Sequence, residues 1–393
     1  MALSKITTAS LADDSVTGAK IENNPTIAGN LTVSGGFIPS ESTSNRNILI
    51  NGNMHIYQRG SSVITGNAGA YALDRWHSYQ YGGGHGTVTR DTTVPTGEGF
   101  ANSLKIDVTQ AESSMAAGDL YVLRQFVEGQ FLQKIRKGTS SAKKLTLQFW
   151  VRSPKTGVHI VELYDADNTR FVSKSYTITS ADTWQYVTVT FPADTTGAFG
   201  DDNGGSLIVQ WWLGAGSTYS GGSSLGTTWG TTANVRAVGQ VNVYDNTSNN
   251  FYLTACQLEL GEVATPFEHE SYGDSLQRCQ RYFVMDKAGT VYKRFLQGVC
   301  TTTTWTECLY YYPVTMRATP SIGSSGTVGD YLIEVNSGAS AATSENPSRS
   351  SHSSETYCCV NLRVSGTTLT IGENCQITAY NTTDAYLSYD AEL

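Results

Sequence analysis

Lys144–Arg152 reads KLTLQFWVR, and this alternation decides the fold class. The apolar side chains take every second position: Leu145, Leu147, Phe149 and Val151. Polar side chains lie between them: Thr146, Gln148 and Arg152. Because successive side chains of a strand point to opposite faces, this pattern predicts a β-strand with one buried face.

Two later stretches repeat the alternation. In the first, Val187, Val189 and Phe191 alternate with Tyr186, Thr188 and Thr190. In the second, Leu207, Val209, Trp211 and Leu213 alternate with Ile208, Gln210 and Trp212. Tyr164–Thr169 (YDADNT) carries the Asp and Asn residues that favour turns. Short strands separated by turns predict a two-sheet β-sandwich, or jelly roll, over residues 46–272.

Composition agrees with an all-β protein and excludes several classes. Charged residues make up only 15% of the 393, while the chain has 39 Gly and 22 Tyr. A helical bundle needs more Ala, Glu, Lys and Leu, and a disordered chain has fewer apolar residues. The net charge of -8, without a basic run, argues against nucleic-acid binding. No apolar run is long enough for a membrane helix, and the N-terminus lacks the apolar stretch of a signal peptide, so no membrane insertion is expected.

Residues 1–45 are polar and poor in aromatic side chains. Their apolar residues are widely spaced: Ile6, Leu11, Val16, Ile21, Ile27, Leu31 and Val33. One such chain buries too little apolar surface to offset the entropy lost on ordering. We therefore predict that this segment forms a trimer with two other copies or attaches to a partner protein.

Two helices are predicted. A short one covers Gln130–Lys137 and ends at Gly138. A clearer one lies within Ser271–Met285, with Ser271 or Asp274 as its N-cap. It carries one apolar stripe: Leu276, Cys279, Tyr282 and Phe283. The stripe predicts a trimer contact, and packing on the chain's own domain is the alternative.

Residues 273–393 are predicted to form this linking helix and a β-rich tip domain. The expected strands are Phe295–Thr301, Glu307–Val314, Tyr331–Val335, Thr368–Ile371 and Gln376–Tyr380. Asn336–Thr356, rich in Ser, Ala, Gly and Asn, is predicted to be a long loop without structure of its own. Loops of this length are usually functional or disordered.

All 7 cysteines lie between residues 256 and 375, and none forms a C-x-x-C pair. We expect free thiols made in a reducing compartment. A disulfide between Cys300 and Cys308 on neighbouring strands is the alternative.

Catalytic motifs are missing from the sequence. The 6 His residues are scattered, and no nucleophile elbow, Walker loop or dinucleotide fingerprint occurs. Sugar cleavage needs two carboxylates, for which three pairs are candidates: Asp165 with Asp167, Asp201 with Asp202, and Glu268 with Glu270. All lie in turn-like contexts, and Asp201–Gly204 is better explained as a turn than as a Ca²⁺ loop. We predict no enzyme activity, no metal site and no cofactor.

The tryptophans are the more informative residues, since their faces stack on sugars and their bulk also suits a core. Trp184 and Trp211 are predicted to be core residues. Trp212, on the polar side of its strand, and Trp229, among Gly and Thr, are predicted as sugar contacts.

An ordered series of motifs resembles bacteriophage tail-fibre and virion structural proteins. The series is Asn47–Gly60 (NILINGNMHIYQRG), Tyr71–Trp76 (YALDRW), Gln125–Gly129 (QFVEG), Leu147–Ser153 (LQFWVRS), Thr183–Tyr186 (TWQY), Cys256–Glu268 (CQLELGEVATPFE), Ser271–Gly273, Cys279–Phe283 (CQRYF), Pro313–Pro320 (PVTMRATP) and Tyr389–Leu393 (YDAEL). Ala12–Ile21 (ADDSVTGAKI) is similar to the start of marine phage fibres. No motif in the series is catalytic, and the repetitive shaft of long fibres is missing.

The resemblance implies a jelly roll similar to carbohydrate-binding modules, a homotrimer, and a place on the virion after assembly in the host cytoplasm. We therefore predict a short tail fibre that binds a bacterial surface polysaccharide or lipopolysaccharide during adsorption. Residues 1–45 would attach it to the phage tail or an adaptor protein. A capsid-attached fibre or decoration protein is the alternative, and a glycan-degrading tailspike is the second alternative.

Receptor binding is predicted at the end opposite to the attachment segment. There the polar loop Asn336–Thr356 contains Arg349 and His352 and is flanked by Tyr331 and Tyr357. Polar loops on a rigid β scaffold often carry recognition residues. Sugar binding by Trp212 and Trp229 is the competing hypothesis.

Overall fold

The computed structural model describes residues 44–60, 62–64, 68–336, 340–366 and 369–393. The attachment segment predicted for residues 1–45 lies outside the described residues, apart from Ser44 and Asn45. Ser44–Leu393 forms a unit of its own.

The described residues form 22 strands and two α-helices. The first twelve strands are β1 (Ser62–Ile64), β2 (Ala68–Leu73), β3 (Trp76–Tyr81), β4 (His85–Asp91), β5 (Ser103–Gln110), β6 (Leu120–Glu128), β7 (Leu145–Arg152), β8 (Gly157–Asp165), β9 (Arg170–Ile178), β10 (Gln185–Phe191), β11 (Gly205–Ala215) and β12 (Asn250–Leu260). The others are β13 (Phe283–Lys287), β14 (Arg294–Cys300), β15 (Trp305–Tyr311), β16 (Ser321–Ser324), β17 (Tyr331–Val335), β18 (Ser340–Ala342), β19 (Ser348–Arg349), β20 (Tyr357–Arg363), β21 (Asn374–Ala379) and β22 (Tyr386–Asp390). The helices are α1 (Ser217–Ser220) and α2 (Tyr272–Gln280).

The first twelve strands form two six-stranded sheets. Sheet 1 has the order β1-β4-β5-β12-β7-β10, and sheet 2 the order β2-β3-β6-β11-β8-β9. The strand pairs within both sheets are antiparallel. One hydrophobic core takes residues from both sheets, including Phe149 of sheet 1 and Trp211 of sheet 2, whose rings lie 5.5 Å apart. The all-β prediction is therefore confirmed, and the first two sheets form a sandwich.

The three alternating stretches are strands, as predicted: β7, β10 and β11. The face of β7 that carries Thr146 and Gln148 is also partly buried, because the loop that follows β12 lies over it. Thr146 donates to the carbonyl of Gly261 at 2.9 Å, and Gln148 donates to the carbonyl of Thr265 at 2.7 Å. The polar face of this strand is therefore covered at one end and open at the other, where Trp150 lies.

The prediction of a short helix over Gln130–Lys137 is wrong. Its residues form two single 3₁₀ turns, Gly129–Phe131 and Gln133–Ile135. The left-handed backbone at Arg136 (φ 54°) ends the second turn before α-helical bonding extends.

The longer helix is confirmed as α2, and Ser271 caps it by accepting a hydrogen bond from the backbone N–H of Asp274. It ends at Gln280, so Phe283 belongs to β13. The structure corrects the predicted trimer contact, because Leu276, Cys279 and Tyr282 pack against the chain's own Ile50 and Ile56. The fourth member of the stripe, Phe283, is buried as well, beneath the guanidinium of a nearby arginine.

The last ten strands form two further sheets. Sheet 3 has the order β13-β22-β16, and sheet 4 the order β18-β17-β21-β14-β15-β20-β19. A second hydrophobic core lies between them and includes Leu296, Val360, Ile377 and Tyr389. The two cores lie on either side of α2 in the sequence, and the boundary at residue 273 stays a prediction.

Two predictions for the tip region are corrected. Asn336–Thr356 is not without structure, because β18 and β19 pair with β17 and β20. Leu369–Ile371 is not a strand, and Thr368, the first residue of that predicted strand, lies outside the described ones. All seven thiols are buried and free, so the alternative Cys300–Cys308 disulfide is not formed.

The C-terminal tail returns to the sandwich. The Glu392 carboxylate pairs with Arg75, which is 1% exposed, and with Arg59 at 3.3 Å. The hydroxyl of Tyr71 donates to the carbonyl of Leu393 at 2.6 Å. These contacts fasten the end of the second core region to sheet 2.

Candidate functional site

Two of the residues predicted to bind sugar are buried. Trp212 is 1% exposed, because the segment after β11 folds back over it and places Tyr219 at 5.3 Å from its ring. Tyr331 is also 1% exposed, and its hydroxyl donates to the carbonyl of Tyr386 at 2.6 Å. The structure thus corrects both assignments, since neither ring has a free face for a ligand.

Trp229 is half-buried and structural. Its indole N–H donates to the carbonyl of Pro192 at 2.8 Å, and the Lys137 ammonium lies 5.2 Å from its ring centre. Trp184, which was predicted together with Trp211 to be a core residue, is only half-buried.

The three other predicted tip residues do not share one surface. Arg349 of the edge strand β19 is directly opposite Val360, a core residue, in the strand register. Its side chain therefore lies on the core side of sheet 4, at the exposed edge of the sheet. Tyr357 lies on the opposite face, opposite Tyr311. His352 joins that outer face through a contact of 3.0 Å to Glu307.

The structure instead reveals an aromatic cleft on the outer face of sheet 1. Its volume is about 690 Å³, within the range of small-molecule sites. It is lined by Glu98, Phe100, Gln148, Trp150, Tyr186, Ala255, Ala264, Thr265, Pro266, Phe267 and His269.

Two neighbouring strands build the first wall. Trp150 of β7 lies directly opposite Tyr186 of β10, and their ring centres are 5.5 Å apart. Tyr186 is 50% exposed, and its hydroxyl donates to the side-chain oxygen of Gln148. This bond and the rigid sheet hold both rings in place, with one edge open to solvent.

The second wall comes from the ends of two loops. Phe267 lies edge-on to Phe100 at 5.2 Å, and His269 stacks on Phe100 at 5.3 Å. The three rings support one another without belonging to any strand.

A buried carboxylate holds this second wall against the sheet. Glu259 of β12 is 2% exposed and accepts hydrogen bonds from the backbone N–H and the hydroxyl of Thr265, at 2.9 and 2.6 Å. Gln257 accepts from the backbone N–H of Glu268 at 2.8 Å. Glu259 and Gln257 thereby hold the loop at two points. The cleft is consequently preformed.

A β-bulge shapes the floor. The register of β12 against β7 shifts between Thr254 and Gln257, and Ala255 within it has a left-handed backbone (φ 55°). Bulges often occur beside functional sites because they redirect side chains. Here the small side chain of Ala255 leaves depth between the two walls.

The chemistry of the cleft is aromatic and close to neutral. Among the described residues that line it, Glu98 is the sole carboxylate, and no lysine or arginine lines it. Aromatic faces take up the apolar C–H faces of a pyranose ring, while amide and hydroxyl groups bond its hydroxyls. The arrangement suits a ligand that is flat, amphipathic and rich in hydroxyl groups.

Sequence reasoning missed most of this site. Trp150 lies at a polar position of KLTLQFWVR, and this could have identified it as a surface aromatic residue. Phe100, Phe267 and His269 carry no such signal, because they lie on loops that only the fold brings together.

Five of the six carboxylates considered for catalysis have structural partners: Asp165, Asp167, Asp202, Glu268 and Glu270. Asp165 is buried and pairs with Lys137, and Glu268 accepts a hydrogen bond from the backbone N–H of Arg46 at 2.7 Å. Within the described ranges, no group of three or more His, Cys, Asp or Glu is placed to hold a metal ion. In the same ranges, no helix is long and apolar enough to cross a membrane.

Two histidines, the buried His159 and the partly buried His77, are kept neutral by their surroundings. Burial lowers the pKa of His159 to about 4; the hydrogen bond to the Lys155 carbonyl opposes this shift, and the charge of the Lys155 ammonium adds to it. Burial lowers the pKa of His77 to about 3, helped by the charge of Arg124. Neither ring lines the cleft, so their titration affects stability and not the proposed site.

A second cavity, of about 490 Å³, lies beside α2. Its arginines are already paired, Arg278 with Glu270 and Arg281 with Glu128. It therefore offers fewer unpaired groups to a ligand than the aromatic cleft does.

No known family model and no curated protein matches the sequence. Three solved structures show weak likeness. The enzymatically active domain of bacteriophage CBA120 tailspike protein 4 matches at 13% identity and a TM-score of 0.28, over 48% of this chain and 20% of its own. The carbohydrate-binding module TmCBM61, in complex with β-1,4-galactotriose, matches at 11% identity and 0.28, over 55% and 100%. A putative sugar binding protein from Bacteroides thetaiotaomicron matches at 14% and 0.29, over 55% and 100%. The chain thus spans only a fifth of the tailspike chain.

Proposed function

We propose that the protein binds a bacterial surface glycan, without cleaving it, in the aromatic cleft on the outer face of sheet 1. The observation that carries this proposal is the pair of aromatic walls, Trp150 with Tyr186 and Phe100 with Phe267, around a preformed cleft of about 690 Å³.

Rigidity supports binding at this place. The walls are held by the sheet, by Gln148 and by the buried Glu259, so little ordering entropy is lost when a ligand enters. Trp and Tyr supply large contact areas with few rotatable bonds. A sugar chain stacked between the walls would gain both apolar contact and hydrogen bonds.

The proposal of no catalysis rests on the lining of the cleft. Hydrolysis of a glycosidic bond uses two carboxyl groups facing each other across the bond. Glu98 has no carboxylate opposite it among the described residues that line the cleft, since Glu259 is buried beneath the loop.

The biological setting rests on the sequence motifs that resemble phage fibres. In this setting the chain is a short, homotrimeric tail fibre on the virion, assembled in the host cytoplasm, and glycan binding serves adsorption. Residues 1–45 would join it to the tail or to an adaptor protein. A capsid-attached fibre uses the same cleft, and immunogold labelling of intact particles distinguishes the two positions.

Replacing Trp150 with Ala tests the cleft. Removing one aromatic anchor should weaken binding to the purified surface polysaccharide of the host by about 10- to 30-fold, which is ~1.4–2 kcal/mol. Affinity electrophoresis of the full chain through gels containing that polysaccharide measures the change.

Tyr380→Ala is the matched control, because Tyr380 is 49% exposed and lies in the second core region. It should leave the affinity unchanged. If Trp150→Ala and Tyr186→Ala both bind as the wild type does, the cleft is not the binding site.

A further inference from the structure

We infer that the chain carries a second saccharide site, in a groove of carboxamide side chains on the outer face of sheet 4. This inference rests on the proposed function in one respect, namely that the chain binds glycans. It names a site that is separate from the aromatic cleft.

The strand register places the amides side by side. Gln297 of β14 is directly opposite Gln376 of β21, and Val299 is opposite Asn374. Because these positions are two residues apart on each strand, all four side chains lie on one face. The opposite face holds core residues such as Ile377, so this face points to solvent.

These residues line a groove of about 440 Å³, and Asn336 adds a fourth carboxamide at its end. Val299 is 41% exposed and is the groove's apolar contact. The side-chain oxygen of Gln376 is buried and accepts no hydrogen bond from the described part of the chain. A buried acceptor without a donor costs free energy, and rotation of the Gln376 amide towards the groove would let a ligand hydroxyl supply the missing donor.

Carboxamides suit sugars because each one both donates and accepts. Neighbouring hydroxyls of one sugar ring can bond the N–H and the C=O of the same amide. Strands lie ~4.8 Å apart, so amides on adjacent strands recur at a spacing close to the length of one sugar unit. No charged side chain is among the described residues that line the groove, so we assign it a neutral glycan segment.

An interface with a second copy is the competing use of this face, which also carries the exposed side chains Leu309 and Tyr311. A subunit interface usually has a contiguous apolar centre. Leu309, Tyr311 and Tyr357 adjoin one another beside the groove, but none of them lines it, and the concave part is lined by amides. These observations favour the glycan.

Two sites on one chain change how the protein binds a polymer. A polysaccharide long enough to reach both would bind the second site intramolecularly, which raises avidity by roughly 10²–10⁴ when the geometry permits. Short fragments would show the two weak sites individually.

The test counts bound fragments by equilibrium dialysis of the full chain against labelled short fragments of the host's surface polysaccharide. We expect two fragments per chain for the wild type. The double variant Gln297→Ala with Asn374→Ala should bind one, Trp150→Ala should bind one, and all three changes together should bind none. Gln277→Ala is the control, since it removes an exposed carboxamide from α2 and should leave the count at two.

Each result separates the second site from the first. If the double variant binds as the wild type does and Trp150→Ala abolishes binding, the groove is not a site and the cleft stands. If the double variant alone loses binding and Trp150→Ala loses none, the groove stands and the proposed cleft is wrong. If the double variant loses the oligomeric state of the wild type in light scattering but still binds two fragments per chain, the face is a subunit interface and the inference is overturned.

Discussion

Acid should destabilise the protein through His159, and replacing this residue with Gln should remove that sensitivity. The imidazole is 0% exposed, its Nε2 is 2.9 Å from the carbonyl oxygen of Lys155, and its ring lies 5.5 Å from that of Tyr176. Gln keeps an N–H for the Lys155 carbonyl but has no group that titrates.

The magnitude follows from the pKa values in the two states. The pKa of His159 falls from 6.5 to about 4 in the folded chain, mainly through burial. The unfolded state therefore binds an extra proton below about pH 6.5, and stability falls as the pH is lowered until the folded pKa is reached. At 1.36 kcal/mol per pH unit, the loss between pH 7 and pH 5 is about 2 kcal/mol.

Urea unfolding at pH 7 and pH 5, followed by tryptophan fluorescence, measures the effect. The free energy of unfolding of the wild type should fall by about 2 kcal/mol more than that of His159→Gln over this range. Comparing the two proteins cancels the carboxylates, which they share. His352→Gln is the control, because it removes an imidazole that is 75% exposed and should lower the free energy of unfolding by at most ~1 kcal/mol.

A difference between wild type and His159→Gln that is the same at both pH values would refute this reasoning. The ring would then titrate with the same pKa in the folded and the unfolded chain.

Three further predictions concern the C-terminal tail, the oligomer and the chemistry. Glu392→Ala should lower the free energy of unfolding by about 3–5 kcal/mol, because it leaves the buried Arg75 guanidinium unpaired; a loss below ~1 kcal/mol in urea unfolding would contradict this. Multi-angle light scattering should give three times 42.4 kDa, with the trimer formed through residues 1–45, since the α2 stripe is used within the chain; a stable monomer at micromolar concentration would disprove it. Incubation with host capsule or lipopolysaccharide should release no reducing ends above background, and steady release that is lost in Glu98→Gln would instead favour the tailspike alternative.

Local patterns in the sequence correctly predicted several strands and the longer helix. The alternation in KLTLQFWVR predicted β7, and the same pattern predicted β10 and β11. This works because successive side chains of a strand point to opposite faces whatever the strand pairs with. Ser271 predicted the start of α2, because a cap needs only the next few residues. The short helix before Gly138 was wrongly predicted, since a left-handed backbone at Arg136 interrupts it.

Tertiary structure decided which faces remain open to a ligand. Trp150 and Trp212 both occupy the non-core side of a sandwich strand, yet Trp150 lines a cleft and Trp212 is 1% exposed. The contacts of Glu392 with Arg75 and of Phe267 with Phe100 likewise join residues that are far apart in the sequence. The alternation along a strand determines on which face of the sheet a side chain lies. Whether that face is covered depends on loops from elsewhere in the sequence. The proposed sugar-binding surface could therefore not be predicted from any single stretch of sequence, because it is the part of the sheet that no returning loop covers.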